Sequence, residues 1–299
     1  DLAAGHRPAD GAGAAAVNTM RGAALLLVLW LITLLAALVG AFALTARIEN
    51  QQGRLVSRGL VADQAARAGL EYALTRLASS DPTLQWQPDG RPYAWRFHDV
   101  EVELRIVDET GKVDLNAADG ELLAALARAV GAEQDVAVRV AGAIVDWRDG
   151  DDFVQVAGGA EAADYAAAGR PYGAKNAPFE SVAEVEQVLG MTPALFEALA
   201  PHLTIYSRLP APDPQFAAAE VLQAMGVDAD PLLAARQAGA AQLAGALLGS
   251  GSGTYSIDSR ARLEEGRSAR LRAVVRTGGG AVPGTAYSVL RWEEGASPR

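Results

Sequence analysis

Between Asp146 and Asp164 the chain places six carboxylates, Asp146, Asp149, Asp151, Asp152, Glu161 and Asp164, against one arginine, Arg148. Like charges this dense are costly to fold together unless they stay in water or share a cation. With no His or Cys nearby the donor set is all hard oxygen, which suits Ca²⁺ and its irregular shell of roughly six to eight oxygens. The spacing is not that of an EF-hand. Counted from Asp149, the fifth and sixth positions are Phe153 and Val154, where a ligand and a glycine belong. A solvated acidic turn is the competing reading of the same residues.

Other chemistries are poorly supplied. The absence of Cys excludes disulfides, cysteine-ligated zinc, iron–sulfur clusters and cysteine nucleophiles. Of the three histidines, His6, His98 and His202, none lies near a Gly-x-Ser-x-Gly elbow, and no spacing singles out a catalytic carboxylate pair; no enzyme activity and no catalytic residue are expected. Val130-Gly131-Ala132 and Leu189-Gly190-Met191 resemble the hairpins of helix-hairpin-helix modules, whose DNA-binding versions offer backbone N–H groups to phosphate. Neither has an adjacent basic residue, and 26 basic against 36 acidic side chains give a net charge of −10, so no nucleic-acid partner is expected. Two alternatives of other classes stay open: a membrane-anchored helix-hairpin-helix DNA-binding protein, and an anchored hydrolase using two carboxylates of the acidic loop.

The elements that must position these groups follow from hydrophobic patterning. From Ala23 to Ala46 no residue is charged, with Arg21 and Arg47 as boundaries. As a helix this run covers roughly 36 Å, enough for a bilayer core and longer than the apolar part of a cleaved secretory signal. Beyond it a helix continues, with apolar stripes Val61-Ala65-Ala68-Tyr72 and Leu70-Leu74-Leu77, to a stop at Ser79-Ser80-Asp81-Pro82. Val100, Val102, Leu104 and Ile106 alternate with polar residues, preceded by a partner strand over 93–97 and a turn at His98-Asp99. The alternation returns at Tyr255 to Leu263, Leu271 to Val275 and Tyr287 to Trp292. Between these strand regions the signals are helical, including a capping-box pattern at Ser181-Val182-Ala183-Glu184 and a helix over 193–199, and Gly249-Ser250-Gly251-Ser252-Gly253 reads as a flexible exit. The expected fold class is α+β: a long N-terminal helix on an antiparallel sheet, with an all-α domain inserted between strands. The expected segments are 1–22 (leader or unstructured), 23–46 (transmembrane), 47–113 (helix continuation and first strands), 114–248 (inserted helices) and 249–299 (closing strands).

Several stretches resemble one family: Arg21-Gly22-Ala23-Ala24 with the apolar run, Lys112-Val113-Asp114-Leu115-Asn116-Ala117-Ala118, Ile144-Val145-Asp146-Trp147-Arg148-Asp149, and Lys175-Asn176-Ala177-Pro178-Phe179-Glu180-Ser181-Val182 through Pro201 to Ser207. Together they are similar to the large minor pseudopilins, protein K of type II secretion systems. The resemblance implies a single-pass protein of the bacterial inner membrane with a periplasmic domain. Prepilin peptidase would cut between Gly22 and Ala23 and the new N-terminus would be methylated. It places Leu27 at the fifth mature position, where ordinary pilins carry a Glu that pairs with a neighbour's terminal amine; a subunit without it fits the tip of the pseudopilus. The implied partners are other minor pseudopilins in a tip complex, prepilin peptidase, the inner membrane and the secretion machinery, and the implied function is initiating pseudopilus assembly and supporting export of folded proteins. The resemblance also implies structural calcium in the helical insertion, held by the carboxylates from Asp146 to Asp164.

Overall fold

A computed structural model describes residues 15–81, 83–239, 251–264, 266–278 and 286–295. The chain divides into two units, Asp1–Arg58 and Gly59–Arg299, and one helix, α1 (Ala15–Leu77), contributes to both. In the first unit Ala24–Thr45 is long and apolar enough to cross a membrane, and its large side chains, Leu25, Trp30 and Phe42 among them, face outward. The threonines in this stretch hide their hydroxyls: Thr33 donates to the carbonyls of Trp30 (2.8 Å) and Leu29 (3.1 Å), and Thr45 to that of Ala41 (3.0 Å). Such internal bonds matter where the solvent is hydrocarbon. The segment 1–22, expected to be a leader or unstructured, is helical from Ala15 onward; residues 1–14 lie outside the described residues. Residues 14–21 contain neither Gly nor Pro, so nothing stops a nucleated helix from propagating toward the N-terminus.

In the second unit, Gly59–Leu77 of α1 lies on a five-stranded antiparallel sheet of β1 (Asp89–Phe97), β2 (Val100–Asp108), β5 (Thr254–Arg262), β6 (Ser268–Thr277) and β7 (Tyr287–Glu294), in that spatial order. Alternation decides the face. Val100, Val102, Leu104 and Ile106 are buried with Tyr255, Ile257 and Ala261 of β5 and Leu271, Ala273 and Val275 of β6. The helix presents Ala62, Ala65, Ala66, Leu70, Ala73 and Leu74 to them. This stripe is rotated from the expected one: Val61 is exposed and Ala68 half-buried. Small residues set the rotation. At Gly69 an added Cβ would lie 2.6 Å from Ser259 Oγ and 2.8 Å from Val102 Cγ1, and the buried Ser259 hydroxyl donates to the Ala66 carbonyl at 2.7 Å. The hairpin turn falls at His98-Asp99 as expected, with His98 at φ +54°.

β2 and β5 pair directly, Ile106 opposite Ile257, although residues 109–253 separate them. That intervening chain has its own core, so it is an insertion in the connection between neighbouring strands. Its helices are α2 (Gly120–Ala129), α3 (Gln134–Arg148), α4 (Ala162–Ala167), α5 (Pro193–Leu199), α6 (Ala219–Ala224) and α7 (Ala229–Gly239). Asp119 caps α2 through Leu122 N (2.8 Å), and Thr192 caps α5 with Pro193 in its first turn. The hairpin Val130-Gly131-Ala132 joins α2 to α3, with Gly131 at φ +100°. A two-residue parallel pair, β3 (Val113–Asp114) with β4 (Leu203–Thr204), has no counterpart in the sequence expectation.

Two local expectations are corrected. The capping box at Ser181 does not form: Val182–Gln187 is a 3-10 helix without a side-chain cap, because the Glu184 carboxylate instead accepts from Trp147 Nε1 (2.9 Å) and Glu180 N (2.9 Å) and pairs with Lys175 Nζ (2.9 Å). The exit 249–253 is tied down over its described part. Ser252 donates from its backbone N (2.6 Å) and its hydroxyl (2.7 Å) to the buried Asp108 carboxylate, and Gly253 O accepts from Thr277 N (2.7 Å). Gly249 and Ser250 lie outside the described residues.

Candidate metal centre

The acidic cluster is built where α3 ends and the following loop folds back over it. Two glycines permit the close approach: a Cβ on Gly142 would strike the Gly158 carbonyl, and one on Gly159 would strike the Asp146 carboxylate. Asp146, fully buried in the last turn of α3, accepts from Ala160 N (2.8 Å) and Gln155 N (3.3 Å) and so fastens the loop to the helix. The loop then runs into α4, where Glu161 N donates to Asp164 Oδ2 at 2.9 Å. Beneath lies an aromatic group: Trp147 is 5.8 Å from Tyr165 and 6.3 Å from Phe179 between ring centroids, and the Tyr165 hydroxyl accepts from Leu189 N (3.0 Å).

On this frame Asp149, Asp151 and Glu161 each offer an oxygen within 4.8 Å of the others. Two oxygens bound to one Ca²⁺ at 2.3–2.6 Å are separated by at most roughly 5 Å, so the three match a shared ion. The remaining polar atoms point the same way. Glu161 is only 4% exposed, yet among the described residues neither of its oxygens has a hydrogen-bond partner, and Asp149 Oδ1 and Asn176 Oδ1 are buried and unpartnered as well. Asn176, at φ +52°, donates through Nδ2 to the Asp151 carbonyl and to Asp152 Oδ1, both at 3.3 Å.

Electrostatics is unfavourable without a cation. Burial pushes the Glu161 carboxyl up to about 7, with Asp146, Asp149, Asp152 and Asp151 adding to the rise. Burial also raises Asp149, helped by Asp151, and raises Asp146 against the hydrogen bonds it accepts. Arg148 does not close the balance with a salt bridge. Its guanidinium is turned onto the carbonyls of Leu115 and Ala118, where burial lowers its pKa. A hard divalent cation fits the donors present, because carboxylates and an amide oxygen are left where nothing in the described chain satisfies them.

Of the six carboxylates expected to act together, the structure gathers Asp149, Asp151 and Glu161. Asp146 holds the loop, Asp164 caps the backbone at Glu161, and exposed Asp152 is bonded by Asn176. Sequence reasoning missed Asn176 as a site residue. Its only sequence signal is an Asn before Ala177-Pro178, a tolerable left-handed position. Gly22 and Ala23 lie within α1, and Leu27 is exposed on it.

Residues 103–208 match the family model Type II secretion system (T2SS), protein K. The match begins in β2 and runs through α2, α3, the acidic loop, α4, α5 and β4, so it takes in the whole candidate site. Among solved structures, a chain of the GspK-GspI-GspJ complex from the enterotoxigenic Escherichia coli Type 2 Secretion System has a TM-score of 0.57 at 18% identity, covering 83% of this chain and 100% of that chain. At that identity it shows a shared fold. No curated protein matches. The family model thus covers about a third of the chain, the solved structure shares the fold, and among the described residues one helix is long and apolar enough to cross a membrane.

Proposed function

We propose that this chain is the large minor pseudopilin at the tip of a type II secretion pseudopilus, anchored in the inner membrane by Ala24–Thr45 with its sheet and insertion in the periplasm. The observation that carries the reading is the helical insertion between directly paired β2 and β5, matched over 103–208 to protein K. Its partners are other minor pseudopilins of the kind named in the GspK-GspI-GspJ complex, and together they start pseudopilus assembly and support export of folded proteins. An N-terminal apolar helix with Leu27 where a pairing Glu would stand needs no subunit above it. Prepilin peptidase cuts after Gly22 and the amine of Ala23 is methylated. Calcium is structural, held by Asp149, Asp151 and Glu161 with Asn176 Oδ1 beside them, and it supplies the positive charge that this part of the fold lacks.

The test is co-expression with a prepilin peptidase and with the two partner pseudopilins, followed by purification and mass spectrometry of the N-terminal peptide. A methylated peptide beginning at Ala23 in a three-protein complex is the expected result. An intact N-terminus and a lone chain would return the protein to a generic anchored domain.

A further inference from the structure

The five-stranded sheet has two unlike faces. Residues 59–77 of α1 lie on the apolar one; the alternate residues of the same strands make the other, and there the charges are unevenly divided. On β6 Arg270, Arg272 and Arg276 point outward with no acid on the strand, and on β5 Arg260 and Arg262 stand against Asp258 alone. Arg260 lies directly opposite Arg270, a placement of like charges that destabilises a strand pair. The acids within reach are already shared. Arg270 Nε donates to Asp258 at 2.8 Å with Arg272 Nε 3.5 Å away, Glu103 is held by Arg105 (3.1 Å), and Glu293 by Arg291 (2.9 Å). Glu101 faces Arg262 in the register, yet among the described residues neither it nor Arg260 nor Arg262 forms an ion pair. This cationic excess sits on a chain whose net charge is −10.

We propose that the outer face of β5 and β6 docks the acidic surface of a partner protein. Alternate residues of a strand stand roughly 6.8 Å apart and neighbouring strands about 4.8 Å, so Arg260, Arg262, Arg270 and Arg272 form a flat array of guanidinium forks, each able to hold a carboxylate through two N–H groups. Charge complementarity names the occupant. A basic surface is repelled, and a uniformly anionic layer, such as lipid headgroups or a nucleic-acid duplex, would lie on Glu101, Asp258 and Glu293 as well as on the arginines. A folded protein can set its carboxylates over the arginines and leave neutral groups over those acids. Because acids outnumber bases in the chain as a whole, 36 to 26, an acidic partner is disfavoured elsewhere and steered to this face. Its carboxylates would also relieve the repulsion between Arg260 and Arg270. None of these arginines takes part in the acidic cluster of the insertion.

The test uses the full chain carried in phosphatidylcholine nanodiscs and, as probe, a fluorescent peptide of alternating Glu and Thr, with its Gln-Thr counterpart as the neutral control. Fluorescence anisotropy at low salt should show binding of the Glu peptide and not of the Gln peptide, weakening as salt is added. Arg260→Gln combined with Arg262→Gln should weaken it by about tenfold or more, whereas Arg128→Gln combined with Arg139→Gln, which removes the same charge from the insertion, should change it by less than about twofold. If melting shows the first double variant to be unstable, Arg272→Gln at an exposed position replaces it, with a loss of several-fold expected. Failure of the Glu peptide to bind, or equal losses from the sheet and insertion variants, would overturn the proposal. Phosphatidylglycerol vesicles or duplex DNA bound as tightly through the same arginines would make the face a general polyanion site and overturn it too. Salt-sensitive self-association that disappears in the sheet variant would assign the face to a second copy of this chain, with the same consequence.

Discussion

Two buried glutamates sit at opposite ends of the electrostatic possibilities. Glu109, 1% exposed at the junction of sheet and insertion, pairs with Lys112 Nζ at 2.6 Å and accepts from the hydroxyls of Thr204 and Ser256. Glu161, 4% exposed beside α3, has no hydrogen-bond partner for either oxygen and four acidic neighbours. Burial alone therefore does not explain either residue. One carboxylate is completed by its neighbours and serves as a structural tie; the other has no hydrogen-bond donor among the described residues.

The sharpest way to break this contrast is to remove the internal partner. Lys112→Met should strand Glu109 among hydroxyls and destabilise the protein by about 3–5 kcal/mol, equally with calcium and with chelator, as read from urea unfolding. A calcium-dependent loss would merge the two sites. Next in size, Glu161→Gln should abolish the calcium-induced stabilisation, which for the unsubstituted protein at a hundredfold excess over Kd is about 2.7 kcal/mol. With chelator the same variant should be no less stable than wild type, because it removes a repelled charge. A pH series sharpens the difference. Glu161 has a folded-state pKa of about 7 against an ordinary 4.5, so the metal-free folded state holds the extra proton. Its contribution to stability is fully present below about pH 4.5 and is lost as pH rises through about 7, so the benefit of added calcium should grow over that window. Melting curves at fixed free calcium check the sign, and a benefit that shrinks with rising pH would contradict it. The smallest effect is expected from Asn176→Gly, which keeps the left-handed backbone and removes the amide. Calcium affinity measured by calorimetry should fall several-fold, with stability in chelator changing by about 1 kcal/mol or less.

Much of the fold was legible because one rule controls it. Val100 to Ile106 and Tyr255 to Ala261 alternate strictly, and a one-residue slip would expose the whole set, so pattern fixes both face and register. The helix stripe was less legible, since Ala62, Ala66 and Gly69 contribute by smallness, which hydrophobic periodicity does not weigh. The capping signal at Ser181 misled because Glu184 is claimed by Trp147 and Lys175, partners distant in sequence. At the acidic cluster the same limit applies. Six neighbouring carboxylates announce a site, but whether each one faces a backbone N–H, a helix end or its fellows depends on the fold-back over Gly142 and Gly159. Asn176 reaches the cluster from 25 residues beyond Asp151, and the Ala-Pro that follows it marks a backbone position without marking a ligand.

The direct pairing of β2 with β5 also bears on how the chain can be assembled. β1 and β2 form a local hairpin as soon as they are made, but their next neighbour arrives only after residues 109–253, and closing so long a loop from an open chain is slow and entropically costly. The insertion ties its entry to its own interior by pairing β3 with β4, and Ser252 on Asp108 joins its two ends beside its separate core. Condensing the insertion thus converts a distant encounter into a near one. The chain is then best completed from its middle outward, with the sheet's last three strands zipping onto a hairpin that has waited for them.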